Sequence, residues 1–171
     1  MFNLFLDIDG CLCTSRATKN WQTIALPYGA YKHTHLEWDN AAVTQFLVFL
    51  TELDNLGVEY QIILSSDWRF MNPEESNREL FKRYGIPQYV GITPVHNKDN
   101  HGLRGKEIID WLTINGQLDN PYLVIDDEQF GIKPTISKEH TVFVEGGWYS
   151  KGFGKYHRKH ALTKVKKQLK L

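Results

Sequence analysis

With 171 residues, 42% of them hydrophobic and 23% charged, the chain is long enough to bury a real core as one domain, 1–171, of ordinary soluble composition. No apolar stretch approaches the roughly 18 residues that a membrane helix needs, and Met1-Phe2-Asn3-Leu4 lacks the basic start and cleavage site of a signal peptide. The formal net charge is zero but unevenly spread, and a cytoplasmic protein with no membrane partner is expected.

The first element is the apolar run Phe2-Asn3-Leu4-Phe5-Leu6, which breaks without a turn residue into Asp7, Ile8, Asp9 and Gly10. A carboxylate at the tip of a buried strand is costly unless a cation, a donor or water satisfies it. Asp7 and Asp9 share one face only while the chain stays extended. Gly10 lets the backbone turn sharply and approach a ligand closely. The economical reading is a hard-cation site, Mg²⁺ by its chemistry, at the carboxyl end of a central parallel strand. Cys11 and Cys13 follow. A disulfide between residues two apart is strained, and no second pair completes a zinc site, so free thiols of a reducing cytosol are expected.

Residues 11 to 37 form a segment too small for a domain, rich in aromatic and His residues (Trp21, Tyr28, Tyr31, His33, His35, with Trp38 beyond), and Pro27-Tyr28-Gly29 reads as a turn. Val43, Phe46, Leu47, Leu50 and Leu53 fall at helical spacing, and Gly57 stops that helix. The strand Tyr60–Leu64 runs into Ser65, Ser66 and Asp67. Asn72-Pro73-Glu74-Glu75 reads as a capped helix start, with the helix ending at Tyr84-Gly85. A strand is predicted over Tyr89–Thr93, then a helix through Ile108, Ile109 and Leu112 that ends near Asn115-Gly116. Tyr122–Ile125 is a further strand, running into Asp126 and Asp127. Thr141–Val144 is the last predicted strand, and Val165 and Leu169 mark a final helix. The class is therefore α/β, a doubly wound, Rossmann-like parallel sheet of about five strands. In such a sheet the ends at Asp7, Ser65 and Asp126 face one crevice, where ligands of open α/β sheets bind.

From Lys151 to the end there are eight Lys or Arg and no Asp or Glu, which leaves the first 150 residues with 12 basic against 20 acidic, a balance of −8. This basic segment, 151–171, also carries Phe153, Tyr156, His157 and His160. Such a segment suits a phosphate backbone. It equally suits a solvated helix face, with Lys164, Lys166, Lys167 and Lys170 opposite Val165 and Leu169.

Asp7-Ile8-Asp9-Gly10, Ser65 after a hydrophobic strand, a basic residue, and Asp126-Asp127 after another strand resemble, in that order, the haloacid dehalogenase (HAD) superfamily of phosphotransferases. The match spans most of the chain. More narrowly, Leu64-Ser65-Ser66-Asp67-Trp68-Arg69, Gly91-Ile92-Thr93-Pro94 and Arg104-Gly105-Lys106-Glu107-Ile108 with Trp111-Leu112 resemble small HAD domains associated with RNA-repair proteins. The resemblance implies a Mg²⁺-dependent phosphomonoesterase. Asp7 would attack phosphorus to form an aspartyl-phosphate, and Asp9 would protonate the leaving group and then activate water. Mg²⁺ would be held by Asp7, the Asp9 carbonyl, Asp126 and Asp127, while Ser65 donates to the phosphoryl oxygens and Ser66 and Arg69 bind substrate. The phosphate-clamping base is left between two residues: Lys106 by type, Arg104 by position. Residues 11–37 would be a small β-hairpin flap rather than a large cap, and His96 to Leu103 leaves room only for a short loop. An open site suits a nucleic-acid end phosphate or a nucleotide. The alternatives are a phosphoprotein substrate, or a non-catalytic phospho-ligand or partner-binding module on the same fold.

Overall fold

The apolar runs pair side by side as parallel strands. A computed structural model describes residues 1–20, 22–25, 31–34, 37–96, 103–145 and 151–171. In chain order its elements are β1 (Phe2–Leu6), β2 (Gln22–Ala25), β3 (Tyr31–Thr34), α1 (Asn40–Asn55), β4 (Tyr60–Leu64), α2 (Trp68–Met71), α3 (Glu74–Arg83), β5 (Gly91–Ile92), α4 (Arg104–Ile114), β6 (Tyr122–Asp126), β7 (Thr141–Phe143) and α5 (Lys155–Leu169). The sheet is five-stranded and all parallel, in the order β5-β4-β1-β6-β7. β2 and β3 form a separate antiparallel pair between β1 and α1. This is a Rossmann-like α/β fold, and no large cap domain is present among the described residues. No described helix is long and apolar enough to cross a membrane.

Register decides what the strand ends bring together. Leu6 of β1 lies opposite Leu64 of β4 and Ile125 of β6, so the residues that follow come out level. Two backbone hydrogen bonds continue the ladder one step further: the Asp7 N–H donates to the Ile125 carbonyl (2.9 Å) and the Ser65 N–H to the Leu6 carbonyl (2.9 Å). Asp7, Ser65 and Asp126 thus sit side by side at one edge of the sheet.

Strand alternation splits the core between the two faces. Phe2, Leu4 and Leu6 of β1 face a cluster built by Val43, Phe46, Phe49, Leu50 and Leu53 of α1, Leu80 and Phe81 of α3, and Ala161 and Val165 of α5. Phe5 faces the other layer, with Ile108, Trp111 and Leu112 of α4 and Ile132 and Ile136. Burial on both faces explains why β1 reads as a continuous apolar run. The Phe5 ring is fully buried and meets Trp111 and Tyr122 edge-on, with centroids 5.5 and 6.1 Å away. Phe5→Ala should therefore lower stability by about 3–5 kcal/mol. A matching fall in the urea midpoint at unchanged slope would be the check.

Two local expectations are corrected. Tyr89–Thr93 narrows to the two paired residues Gly91–Ile92, although the Val90 and Thr93 N–H groups still bond β4 carbonyls. Asn72 does not cap α3: its N–H donates to the Trp68 carbonyl, so it closes α2, and its extended backbone is the one favoured before proline. The N-cap of α3 is Pro73. α2 itself was not foreseen, since four residues are too few to show a period. Trp21, His35, the Pro27-Tyr28-Gly29 turn and residues 97–102 of the short loop lie outside the described residues.

The start of α1 anchors the segment that follows the first strand. Asp39 is its N-cap and accepts from the N–H groups of Ala41 (3.0 Å) and Ala42 (3.3 Å). Thr14 Oγ1 and the Arg16 guanidinium donate to its other oxygen, and the Asp39 N–H donates to the Leu12 carbonyl (2.7 Å). The turn Asp9–Thr14 is held in place from below by this network.

Candidate active site

Four segments converge on an open cavity of about 590 Å³ at the carboxyl edge of the sheet. Asp7 and Asp9 come from the end of β1, Asp67 from the end of β4, Arg104 from the start of α4, and Asp126 to Phe130 from the end of β6. Carboxylate oxygens of Asp7, Asp126 and Asp127 all lie within 4.8 Å of one another. Asp7 is 4% and Asp126 1% exposed, so their charges are almost out of water.

Arg104 is the one basic side chain lining this cavity among the described residues. Its Nη1 donates to Asp7 Oδ1 (3.3 Å), to Asp126 Oδ2 (3.4 Å) and to the Ser65 carbonyl, and its Nη2 to Asp67 Oδ1 (2.8 Å). The planar fork spreads its donors over three carboxylates and a carbonyl, a reach that the compact point charge of a lysine does not reproduce. Lys106, two residues along the helix, is exposed and lies off the cavity wall. Successive helix positions two apart point to opposite sides, so only one of the pair can face the site. Gly105 between them lets α4 start close to the next turn: a Cβ there would sit 2.9 Å from Thr135 Cβ and 3.0 Å from the Gly131 carbonyl.

The electrostatics follow from burial and crowding. Burial pushes the Asp7 carboxyl up, partly opposed by Arg104 and a hydrogen bond from Ser66. Burial, then the charge of Asp7, pushes Asp126 well above the usual carboxylate range. Asp127 is raised by burial and by Asp7 and Asp9. Asp9, half-buried at the cavity, is pushed up to about 7 by that partial burial and then by the Asp7 charge. Burial alone would lower the Arg104 pKa, but Asp126, Asp7 and Asp67 outweigh it and raise it. Clustered carboxylates facing one guanidinium retain an excess of negative charge. All-oxygen donors with such an excess fit a hard divalent cation, and Asp7, Asp126 and Asp127 are the side chains that could hold it.

Gly10 is part of this fit. Its φ is +66°, and a Cβ there would lie 2.2 Å from Asp127 Oδ2. Gly10→Ala should therefore displace the Asp127 carboxylate and weaken divalent-cation binding about tenfold or more, as losses around a metal site do. Titration calorimetry with Mn²⁺ would measure it.

The serines divide. Ser65 Oγ is fully buried with no protein partner among the described residues, a donor placed beside Asp7 and Arg104 with its hydrogen bond unused. Ser66, expected to bind substrate, is instead internal: its Oγ bonds the Asp7 carboxylate and accepts from the Ile8 N–H (3.3 Å). Arg69, also expected at the substrate, is turned into a buried pair with Glu107 (2.5 Å) and donates to the Ser66 carbonyl (2.8 Å). The acid on α4 supplies the counter-charge that a buried arginine requires. Three participants went unassigned in the sequence reading. Asp67 bonds Arg104, Trp68 Nε1 donates to Asp9 Oδ1, and Phe130, 85% exposed, forms part of the cavity edge. Only the acidic and aromatic residues directly after Ser65-Ser66 offered any signal.

Fold and site together define an α/β domain with an aspartate cluster at its strand ends. The family described as "HAD domain in Swiss Army Knife RNA repair proteins" matches residues 3–152, and the chain belongs to it. Membership supports a phosphatase-type hydrolase at the level of the family. Among curated proteins none matches the chain. Among solved structures it is similar to a hypothetical protein of Xanthomonas campestris at 13% identity and a TM-score of 0.42, over 98% of this chain and 86% of that one.

Proposed function

We propose that the protein is a Mg²⁺-dependent phosphomonoesterase that works through an aspartyl-phosphate on Asp7. The observation that carries this reading is the meeting of a buried carboxylate, Asp7, with Arg104, with the two further acids Asp126 and Asp127, and with Asp9 at the same cavity. A phosphoryl transfer needs a nucleophile, neutralisation of the equatorial oxygens and a proton for the leaving oxygen. Asp7 forms the new bond to phosphorus as the bond to the leaving oxygen breaks. Asp9, which holds its proton up to about pH 7, gives that proton to the leaving oxygen. As carboxylate it then takes a proton from water, whose oxygen displaces Asp7 and releases inorganic phosphate. Arg104 and Ser65 donate to the phosphoryl oxygens throughout. Mg²⁺, held by Asp7, Asp126, Asp127 and the Asp9 carbonyl, would supply further positive charge against the transferring group.

The favoured substrate is a nucleic-acid end phosphate or a nucleotide. No large cap restricts access among the described residues, and Phe130 offers an exposed ring at the cavity edge on which a base can stack. Gln129 lines both this cavity and a neighbouring groove that carries Lys133, Lys138, Tyr156, His160, Lys164 and Lys167. Part of that basic segment has structural duties, since Lys164 Nζ donates to the Thr141 carbonyl (2.7 Å) and Lys167 pairs with Glu139 (3.0 Å). Phosphate release should be assayed on nucleotides, 5′- and 3′-phosphorylated oligonucleotides and phosphopeptides. Turnover of the first two classes, with KM for the oligonucleotides rising with salt, is expected. Preference for phosphopeptides would overturn the substrate assignment, and release from none would favour a phospho-ligand-binding module.

A further inference from the structure

Resting on that phosphatase reading, we propose that Trp68 is a positioning residue for Asp9, holding one carboxyl oxygen so that the other delivers the proton to the leaving group. The Trp68 Nε1–H donates to Asp9 Oδ1 at 3.0 Å. An indole N–H can only donate, so it requires a lone pair at Oδ1 and favours the transferable proton on Oδ2. Asp9 needs such a fixture. Its backbone is set by the turn, where the Gly10 N–H donates to the Cys13 carbonyl (2.8 Å), but its side chain reaches into an open cavity.

The indole itself is held firmly. Trp68 is 3% exposed, and its carbonyl accepts from Asn77 Nδ2 (2.9 Å). Its ring meets Trp38 at 6.1 Å and 61°. Trp38 in turn stacks on Tyr84 (5.3 Å, 10°) and meets Phe81 edge-on (5.2 Å), and its backbone N–H donates to the Tyr84 hydroxyl (2.7 Å). A proton donor displaced from its line to the leaving oxygen loses much of its effect. The aromatic layer over α3 therefore reaches the reaction through one hydrogen bond.

Trp68→Phe keeps an aromatic ring in the layer, though a smaller one, and removes the donor. Its kcat/KM should be compared on an alkyl phosphate, whose leaving oxygen needs a proton, and on p-nitrophenyl phosphate, whose leaving group does not. That ratio reports the transfer to Asp7 and not the later hydrolysis. A loss of about 10- to 100-fold on the alkyl ester and under about 3-fold on the aryl ester is expected. In an Asp9→Asn background the same substitution should cost nothing. Equal losses on both esters, or none, would overturn the role of Trp68 while leaving the phosphatase reading intact. A wild-type protein inactive on both esters would overturn that reading and this inference together. Should Trp68→Phe fold poorly, proton NMR of Asp9→Ala replaces it. The Trp68 indole proton should move upfield, and an unmoved resonance would contradict the bond.

Discussion

Asp7→Asn is expected to lower phosphate-ester turnover by at least ~10³-fold while the protein stays folded, the loss typical when a covalent nucleophile is removed. The amide has nearly the shape of the carboxylate, so the neighbours Ser66 and Arg104 keep a partner of the same size. It cannot attack phosphorus, and it is a poorer ligand for a hard cation. The substitution also removes a buried charge that crowds Asp126 and Asp9. Without added metal, the variant should therefore melt no lower than the wild type. Near wild-type turnover by Asp7→Asn would exclude Asp7 as the nucleophile; a collapsed melting curve would assign it a folding role instead.

Removal of metal should have an effect of similar size. Activity is expected to vanish in excess chelator and to return with Mg²⁺ or Mn²⁺, with Ca²⁺ inhibiting because its looser coordination suits in-line transfer poorly. Stability gives a second readout. The Asp9 carboxyl, raised to about 7 in the folded chain, holds its proton more tightly there than in the unfolded chain. Its contribution to metal-free stability is then full below about pH 4 and is lost as pH rises through about 7. Asp7, Asp126 and Asp127 are shifted in the same direction. The metal-free protein should thus melt higher at pH 5 than at pH 8, and Mg²⁺ should raise the melting temperature more at pH 8, where the carboxylates are ionised. Full activity in excess chelator would remove the metal from the account.

The strand ends were legible in the sequence because an apolar run that stops at a carboxylate or a pair of small hydroxyls has few structural explanations. β1, β4 and β6 each announce themselves this way, and parallel register does the rest by bringing Asp7, Ser65 and Asp126 level. Less legible was whatever depends on the phase of an element. Arg104 and Lys106 are equally basic, and Leu103, the N-cap of α4, offers no side-chain bond to fix the first turn, so only packing shows which one faces the carboxylates. Asn72 before a proline looks like a helix start, yet it ends the preceding turn of helix. Arg69 reads as a phosphate ligand until Glu107, 38 positions away, takes its charge. The bond from Trp68 to Asp9 spans 59 positions and leaves no periodic trace.

The covalent step on Asp7 is the central claim, and it is tested most directly by mass spectrometry of the acid-quenched Asp9→Asn protein after reaction with p-nitrophenyl phosphate and Mg²⁺. The aryl ester needs no proton to leave, whereas hydrolysis of the intermediate needs the base that this variant lacks, so phosphorylated protein should accumulate. One phosphoryl group on the peptide carrying Asp7, released by hydroxylamine, is the result predicted. An unlabelled Asp7 peptide with p-nitrophenol still released, or a phosphoryl group on any other residue, would contradict the account.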